Sequence, residues 1–268
     1  MLTAEKEDGQ VKAHNYWESK HYGPLHLNFL SEHRASLEPS KIHRHRDRPA
    51  ANRRRSTNPP PGRQLSLNEV ESPSSEEAYV IVRRFTLSHD AEPFAPMREI
   101  TQLQYASWPD FGAPAHPAHL LGLVEQCDAV VRLSNGGSPS TPAPPSTRPM
   151  LVHCSAGCGR TGTFCTVDSV IDMIKRQRIE YTRNSRHVSP MDIDGNKQIQ
   201  HCQSGDSLVP VCESGGLEWL YRDDIDLIEK TVTDFRLQRL SMVQSLKQFV
   251  LCYESVLEWL AEQTPKSA

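Results

Sequence analysis

The fold class this 268-residue sequence predicts is α/β of the α+β kind, a mixed twisted sheet flanked by helices. Three observations carry that reading. Stretches rich in β-branched and aromatic residues precede and alternate with segments of helical spacing, the pattern of sheet and helix layers sharing one core. One short apolar run, Met150-Leu151-Val152, passes through a glycine-containing turn straight into an amphipathic segment. Apolar residues fall into a period in these elements, whereas three polar stretches between them show none.

The elements follow in order. Leu25, Leu27 and Phe29 alternate, which predicts a half-buried strand. Tyr79 to Leu87 is β-branched and aromatic, ends in Ser88-His89-Asp90, and predicts a second strand. Arg98 to Ser107, with Ile100, Leu103 and Tyr105, predicts a third. From Pro117 the spacing turns helical, with Leu120, Leu121, Val124, Cys127 and Val131 on one face. Met150 to Val152 predicts a short strand. Thr161 to Arg176 predicts a helix whose stripe is Phe164, Val167, Ile171 and Ile174. Further helices are predicted over Ile225–Phe235 and Met242–Leu260.

The three polar stretches are read as disordered insertions. Residues 41–76 open with a basic run, Lys41 to Arg55, and pass through Pro59-Pro60-Pro61. The basic run reads as a docking or targeting segment or as a solvated loop. Residues 134–149 are rich in Ser, Gly and Pro, and residues 181–216 show no sustained period. Such compositions bury too little apolar surface to offset the entropy of ordering the backbone. Without them roughly 180 residues remain, the size of one domain. That domain is placed at residues 1–262, with 263–268 as a tail.

Bulk properties exclude several classes. A formal net charge of -3 gives no case for nucleic acid. A mean hydropathy of -0.56 and the lack of any apolar run near the roughly 18–20 residues of a membrane helix give none for a membrane. Seven cysteines at irregular spacing argue against a disulfide framework, and with no C-x-x-C pair no metal is expected. A reducing cytoplasmic or nuclear setting follows.

The chemistry lies in His153-Cys154-Ser155-Ala156-Gly157-Cys158-Gly159-Arg160-Thr161-Gly162. Between a strand and a helix, Gly157 and Gly159 let the backbone curl until several N–H groups face one point, which makes an anion cradle at a helix N-terminus. Residues Cys154 to Arg160 would line it, and Arg160 adds a planar fork matched to two phosphate oxygens. Cys154 at the floor would have its thiolate stabilised by those dipoles, in settings where thiol pKa values fall to about 3.5–7.5. A thiolate beneath a bound phosphate is placed for in-line attack. Cys127, Cys165 and Cys252, by contrast, read as small buried hydrophobes, and Cys158 as packing behind the turn or serving redox control.

This string resembles the signature of the tyrosine-specific, cysteine-dependent protein tyrosine phosphatases. Trp108-Pro109-Asp110-Phe111-Gly112 resembles their mobile acid loop. Arg236, Arg239 and the run Ser241 to Gln248 resemble their glutamine loop and the following helix. Gly9-Gln10-Val11-Lys12 and Asn15-Tyr16-Trp17 resemble a segment that buttresses the active site. The long insertions are most similar to those of fungal members.

The resemblance implies hydrolysis of protein phosphotyrosine through a cysteinyl-phosphate, with no cofactor. Asp110 would be general acid and then base. Gln244 would orient water, with Gln248 in support. Thr161 would hydrogen-bond the thiolate, and His153 would tune the loop through the backbone. Trp108, Pro109 and Phe111 would belong to the moving loop. Lys12 would contact that loop when closed, and Glu7 would orient Arg160. A phosphotyrosine protein is the implied partner, with a mitogen-activated protein kinase suggested by the fungal likeness. Measured against the family, Met1-Leu2-Thr3 resembles the end of a core strand. The fold is therefore expected to be incomplete at the N-terminus. A poorly active phosphoprotein-binding module, or a product that does not fold stably, stands as the alternative.

Overall fold

The structure is a computed structural model that describes residues 1–18, 20–38, 78–136, 138, 140–142, 148–187 and 218–263. The basic run and the rest of 41–76 lie outside the described residues.

The sheet grows from the predicted strands. It contains β3 (His21–Tyr22), β4 (Leu25–Ser36), β5 (Tyr79–His89) and β6 (Arg98–Gln104) in that spatial order. Its ladders are antiparallel throughout, with Leu27 opposite Leu87 and Phe85 opposite Ile100. Because side chains alternate across a strand, β5 presents Val80 and Val82 to one face and Arg83 and Phe85 to the other. Both faces are covered there, for all four side chains are buried. The first face meets the helices. On the second, Arg83 donates to Glu32 Oε2 (2.5 Å), Gln102 Oε1 (3.1 Å) and Gln104 Oε1 (2.6 Å). Its guanidinium also stacks 4.4 Å from the Trp17 ring. A bulge between Phe29 and Ser31 shifts the register of β4. Phe29 is consequently 57% exposed, an edge-on neighbour of Phe85 and not the half-buried residue that alternation predicts.

Two expectations about strands change. No ladder forms over Met150–Val152, so the mixed sheet expected from sequence is purely antiparallel among the described residues. Its place beside the sheet is held by single bonds through the first residues. Met1 N donates to Leu103 O (2.8 Å), Tyr105 N to Met1 O (2.9 Å), and Leu2 N to His153 O (2.8 Å). The backbone entering the 153–162 turn is thereby tied to the end of β6.

Among the described residues, four helices build the other layer: α1 (Pro117–Asn135), α2 (Gly159–His187), α3 (Leu227–Gln238) and α4 (Leu246–Gln263). A 3₁₀ turn at Glu218–Tyr221 precedes α3. Pro117 opens α1 where its missing N–H has no intrahelical role, and Gly136 at φ 81 closes it. Glycine at 122 is needed where α1 crosses the chain after β4, since a Cβ there would stand 2.2 Å from Leu37 O. The stripes of α1, α2 and α4 join Leu37, Val80 and Val82 in one core with Leu120, Leu123, Phe164, Val167 and Leu251.

Helix limits depart from apolar periodicity at two places. α1 ends at Asn135, inside the stretch expected as an insertion from 134, and α2 runs to His187, inside that expected from 181. Past Ile174 the stripe fades, but helix formers continue and polar contacts take over. Arg176 pairs with Asp172, Arg183 pairs with Glu180, and Gln177 Nε2 donates to Trp219 O at 2.8 Å. The last helix starts at Leu246, not Met242. Val243 sits at φ 56 and interrupts any helix there. Ser245 and Gln248 then form a reciprocal capping box. Gln248 N donates to Ser245 Oγ (3.2 Å), and Gln248 Oε1 accepts from Ser245 N (3.3 Å) and Gln244 N (3.0 Å).

Candidate active site

The turn between Met150–Val152 and α2 places Cys154 at the first point of a closed curve. Cys154 is 6% exposed, whereas Ser155 and Ala156 beyond it are exposed. Gly157 takes φ 68, the left-handed conformation that reverses the chain. Burial pushes the Cys154 thiol up. The Thr161 hydroxyl and the N–H groups of Thr161, Cys158 and Gly157 together outweigh burial and hold the thiol below its ordinary value. Cys158 is buried behind the curve, with its Sγ 3.4 Å from Ala156 O.

Arg160 lies wholly within the protein, its side chain 0% exposed. Its Nη1 bonds the Glu7 carboxylate and donates to Trp108 O at 2.8 Å. Nε and Nη2 are buried with no hydrogen-bond partner among the described residues. Nη2 does stand 3.2 Å from Asp110 Oδ1, an ion-pair contact off hydrogen-bond alignment. Nε and Nη2 form the side-on edge of the guanidinium, the pair of donors that matches two oxygens of one phosphate.

Glu7 reaches Arg160 through a hairpin that the periodicity search misses. Strands β1 (Lys6–Glu7) and β2 (Gln10–Val11) pair across Asp8-Gly9, both at positive φ. Asp-Gly is the preferred pair for such a two-residue turn, and this dipeptide is the sequence signal for it. Thr3 Oγ1 donates to Glu7 Oε1 at 2.8 Å. The far side of the hairpin brings Lys12 Nζ to Asp110 Oδ2 at 3.0 Å.

Asp110 therefore sits between two cations, on a loop folded against the site. Trp108 is fully buried and its Nε1 donates to Gly112 O at 3.0 Å, while Gly112 N donates to Pro109 O at 3.2 Å. Phe111 takes φ 55 and leaves its ring exposed. On the opposite rim, the glutamines approach the cradle because residue 159 is glycine. A Cβ there would stand 2.8 Å from Gln244 Oε1 and 2.9 Å from Gln248 Nε2. Gln248 is buried and Gln244 exposed.

Three further groups touch the site. Arg239 Nη1 donates to Gly157 O at 3.1 Å, so carbonyls of the curve are held outward. Arg236 grips Met242 O (3.0 Å) and Val243 O (2.9 Å), which holds Val243 in its left-handed conformation. His153 Nδ1 stands 3.2 Å from Cys154 O and Nε2 stands 2.9 Å from Tyr16 Oη. A carbonyl only accepts, so Nδ1 carries the proton and Nε2 accepts from the tyrosine hydroxyl. Gln102 Nε2 in turn donates to Tyr16 Oη at 2.9 Å. Burial holds the His153 pKa below its ordinary value, consistent with this neutral tautomer.

The sequence matches the family described as protein-tyrosine phosphatase over residues 63–205, more than half of the chain. The chain belongs to the protein-tyrosine phosphatase family. It is 46% identical over 82 residues to tyrosine-protein phosphatase non-receptor type 18 of Homo sapiens, covering 31% of this chain and 15% of that protein. It is 38% identical over 106 residues to tyrosine-protein phosphatase Lar of Drosophila melanogaster, covering 40% of this chain and 4% of that one. The solved catalytic domain of the human type 18 protein superposes with a TM-score of 0.49 at 21% identity, covering 96% of this chain and 58% of the other. The chain thus spans a minor part of these curated relatives and somewhat over half of the solved domain. The family match includes Asp110, Cys154 and Arg160. It leaves out Glu7, Lys12, Gln244 and Gln248, which the fold brings to the same place.

Thiol chemistry distinguishes Cys154 from the other described cysteines of this phosphatase family member. Burial pushes Cys165 up to about 11 and Cys127 and Cys252 to about 12. A depressed pKa keeps a thiolate population as pH falls, whereas a raised one loses it first. At roughly pH 6, iodoacetamide is expected to label Cys154 well ahead of Cys127, Cys165 and Cys252. The comparison that matters is with Cys165, the least buried of the others. Equal labelling rates read by peptide mass spectrometry would remove the activated thiolate.

Proposed function

We propose that the chain hydrolyses phosphotyrosine in proteins by way of a cysteinyl-phosphate. The observation that carries this reading is geometric: the nearly buried Cys154 thiol faces the backbone N–H groups of Gly157, Cys158 and Thr161, beside an Arg160 whose buried side-on donors have no hydrogen-bond partner among the described residues. Those donors and the N–H groups of the cradle bind the phosphate dianion. The Cys154 thiolate attacks phosphorus, and the P–O bond to the tyrosyl ring breaks as the S–P bond forms. Asp110 gives its proton to the departing phenolic oxygen. In the second step, water oriented by Gln244, with Gln248 in support, gives a proton to Asp110 and its oxygen to phosphorus. The S–P bond breaks, inorganic phosphate leaves, and Thr161 receives the returning thiolate in a hydrogen bond. His153 acts on the cradle through the backbone and exchanges no proton with substrate. The chemistry needs no cofactor, since every charge that develops meets a group named here.

The catalytic unit is taken as residues 1–262, with the stretches within 41–76, 134–149 and 181–216 as insertions. Phosphotyrosine proteins are the partners, and a mitogen-activated protein kinase is the class that the fungal likeness implies. The setting is the cytoplasm, extending to the nucleus. The deciding experiment is turnover of a phosphotyrosyl peptide and of an activated aryl phosphate by the purified chain, with and without a chelator. Release of phosphate in both conditions is expected. Tight binding of the phosphopeptide with no turnover of either ester would point instead to a phosphoprotein-binding module.

A further inference from the structure

Ser245 occupies a position that neither the acid loop nor the glutamine segment explains alone. Its hydroxyl makes two bonds at once. It accepts from Gln248 N at 3.2 Å, as the N-cap of α4, and it donates to Phe111 O at 2.9 Å. That second bond spans 134 positions of sequence. It lands on the residue after Asp110, whose backbone is at φ 55, a conformation uncommon for a non-glycine residue and kept only where its surroundings enforce it. The other bonds that hold this loop reach Asp110 and Trp108 from Lys12 and Arg160. Those two anchors stand on the hairpin and at the start of α2; Ser245 supplies a third from the glutamine segment.

We infer that Ser245 is a positioning residue, a latch that holds the acid loop in its proton-donating position by tying Phe111 to the cap of α4. The hydroxyl has one proton to give, and Gln248 N requires only its lone pair, so capping and latching do not compete. While the loop is seated, the same oxygen fixes Gln248, whose side chain also holds Gln244 N. Donor loop and water-orienting segment are thereby placed by one atom. Loss of the latch should lower the fraction of enzyme in which Asp110 is poised, without altering the cradle that binds phosphate.

This inference rests on the phosphatase reading, and the test separates the two. Ser245→Ala removes cap and latch. Ser245→Gly removes the hydroxyl, but glycine is tolerated at an N-cap, so it removes the latch with the cap little harmed. Ser245→Thr keeps both. On a phosphotyrosyl peptide, kcat is expected to fall about 3- to 10-fold in Ser245→Gly and Ser245→Ala, the range for one neutral hydrogen bond. KM should hold, and Ser245→Thr should behave as the parent. On an activated aryl phosphate, whose leaving group needs no proton, the first step, read as the burst of released phenol, should agree in all four proteins. Hydrogen exchange at Gly112 should quicken in Ser245→Gly, since its N–H bond to Pro109 belongs to the seated loop. A parental kcat on the phosphotyrosyl peptide in Ser245→Gly, or equal losses in the first step on both esters, overturns the latch. If the parent turns over neither ester, the phosphatase reading falls, and unchanged exchange at Gly112 in Ser245→Gly overturns the latch independently.

Discussion

Replacement of Cys154 by serine is expected to lower turnover of phosphotyrosine by roughly 10³–10⁶-fold, the scale seen when a covalent nucleophile is removed. Affinity for the phosphate ester should stay near that of the parent. The reason is the division of labour in the cradle. Arg160 and the N–H groups of Gly157, Cys158 and Thr161 belong to the backbone curve and the first turn of α2, and none of them depends on sulfur. A serine hydroxyl of ordinary acidity stays protonated where the thiol ionises, so those dipoles have no anion to stabilise at the floor. The variant should therefore hold phosphotyrosyl protein without releasing phosphate, which also makes it a capture reagent for the substrate. Phosphate release and ligand affinity, measured side by side by malachite-green assay and calorimetry, decide the matter. Residual turnover above a few per cent of the parent would assign the nucleophile elsewhere, and loss of binding would mean that the sulfur shapes the cradle.

Asp110→Ala should lower kcat on phosphotyrosine by roughly 10²–10⁴-fold and do far less to the first step, release of the leaving group, on an activated aryl ester. The contrast follows from the leaving group. A tyrosyl phenol has a pKa of about 10 and departs poorly as an anion, whereas an activated phenol needs no proton. Alanine also leaves Lys12 and the Arg160 edge without the carboxylate between them, which alters phosphate affinity as well as proton transfer. Asp110→Asn keeps the shape of the side chain and removes only the proton, so it should reproduce the loss of kcat on phosphotyrosine. A plot of rate against leaving-group pKa is the sharpest readout, steep for the variants and shallow for the parent. Parallel lines would take the general acid away from Asp110.

Much of this fold is legible in local pattern. The apolar spacing of α1 and of the first half of α2 announces their buried faces, and β-branched content announces β5. The cradle is legible too, since seven consecutive residues hold nucleophile, dipoles and arginine together. Polar signals carry less periodic information. The long tail of α2 lacks a stripe but keeps helix formers and side-chain pairs, so a search for apolar period stops too early at Arg176. Ser245-x-x-Gln248 states where α4 begins, against an apolar pattern that reaches back to Met242. Asp8-Gly9 states a hairpin too short for any period to register. Contacts such as Tyr16 with His153 or Ser245 with Phe111 join residues more than a hundred positions apart. No local pattern encodes them, and they exist only once β6, α2 and α4 have met.

The Arg160 guanidinium donates to the Trp108 carbonyl and offers its side-on edge to a bound oxyanion. Any preference of the phosphate for an arginine already fixed by that carbonyl appears as a preference of the loop for the occupied cradle. Thermodynamic reciprocity makes the two factors equal. Where the phosphate prefers the arginine so fixed, the affinity gained by closure is the affinity by which occupancy favours closure. Inorganic phosphate, the last species to leave, benefits from the same coupling as substrate. On the proposed reading, the arginine that secures capture at the start of a cycle restrains release at its end.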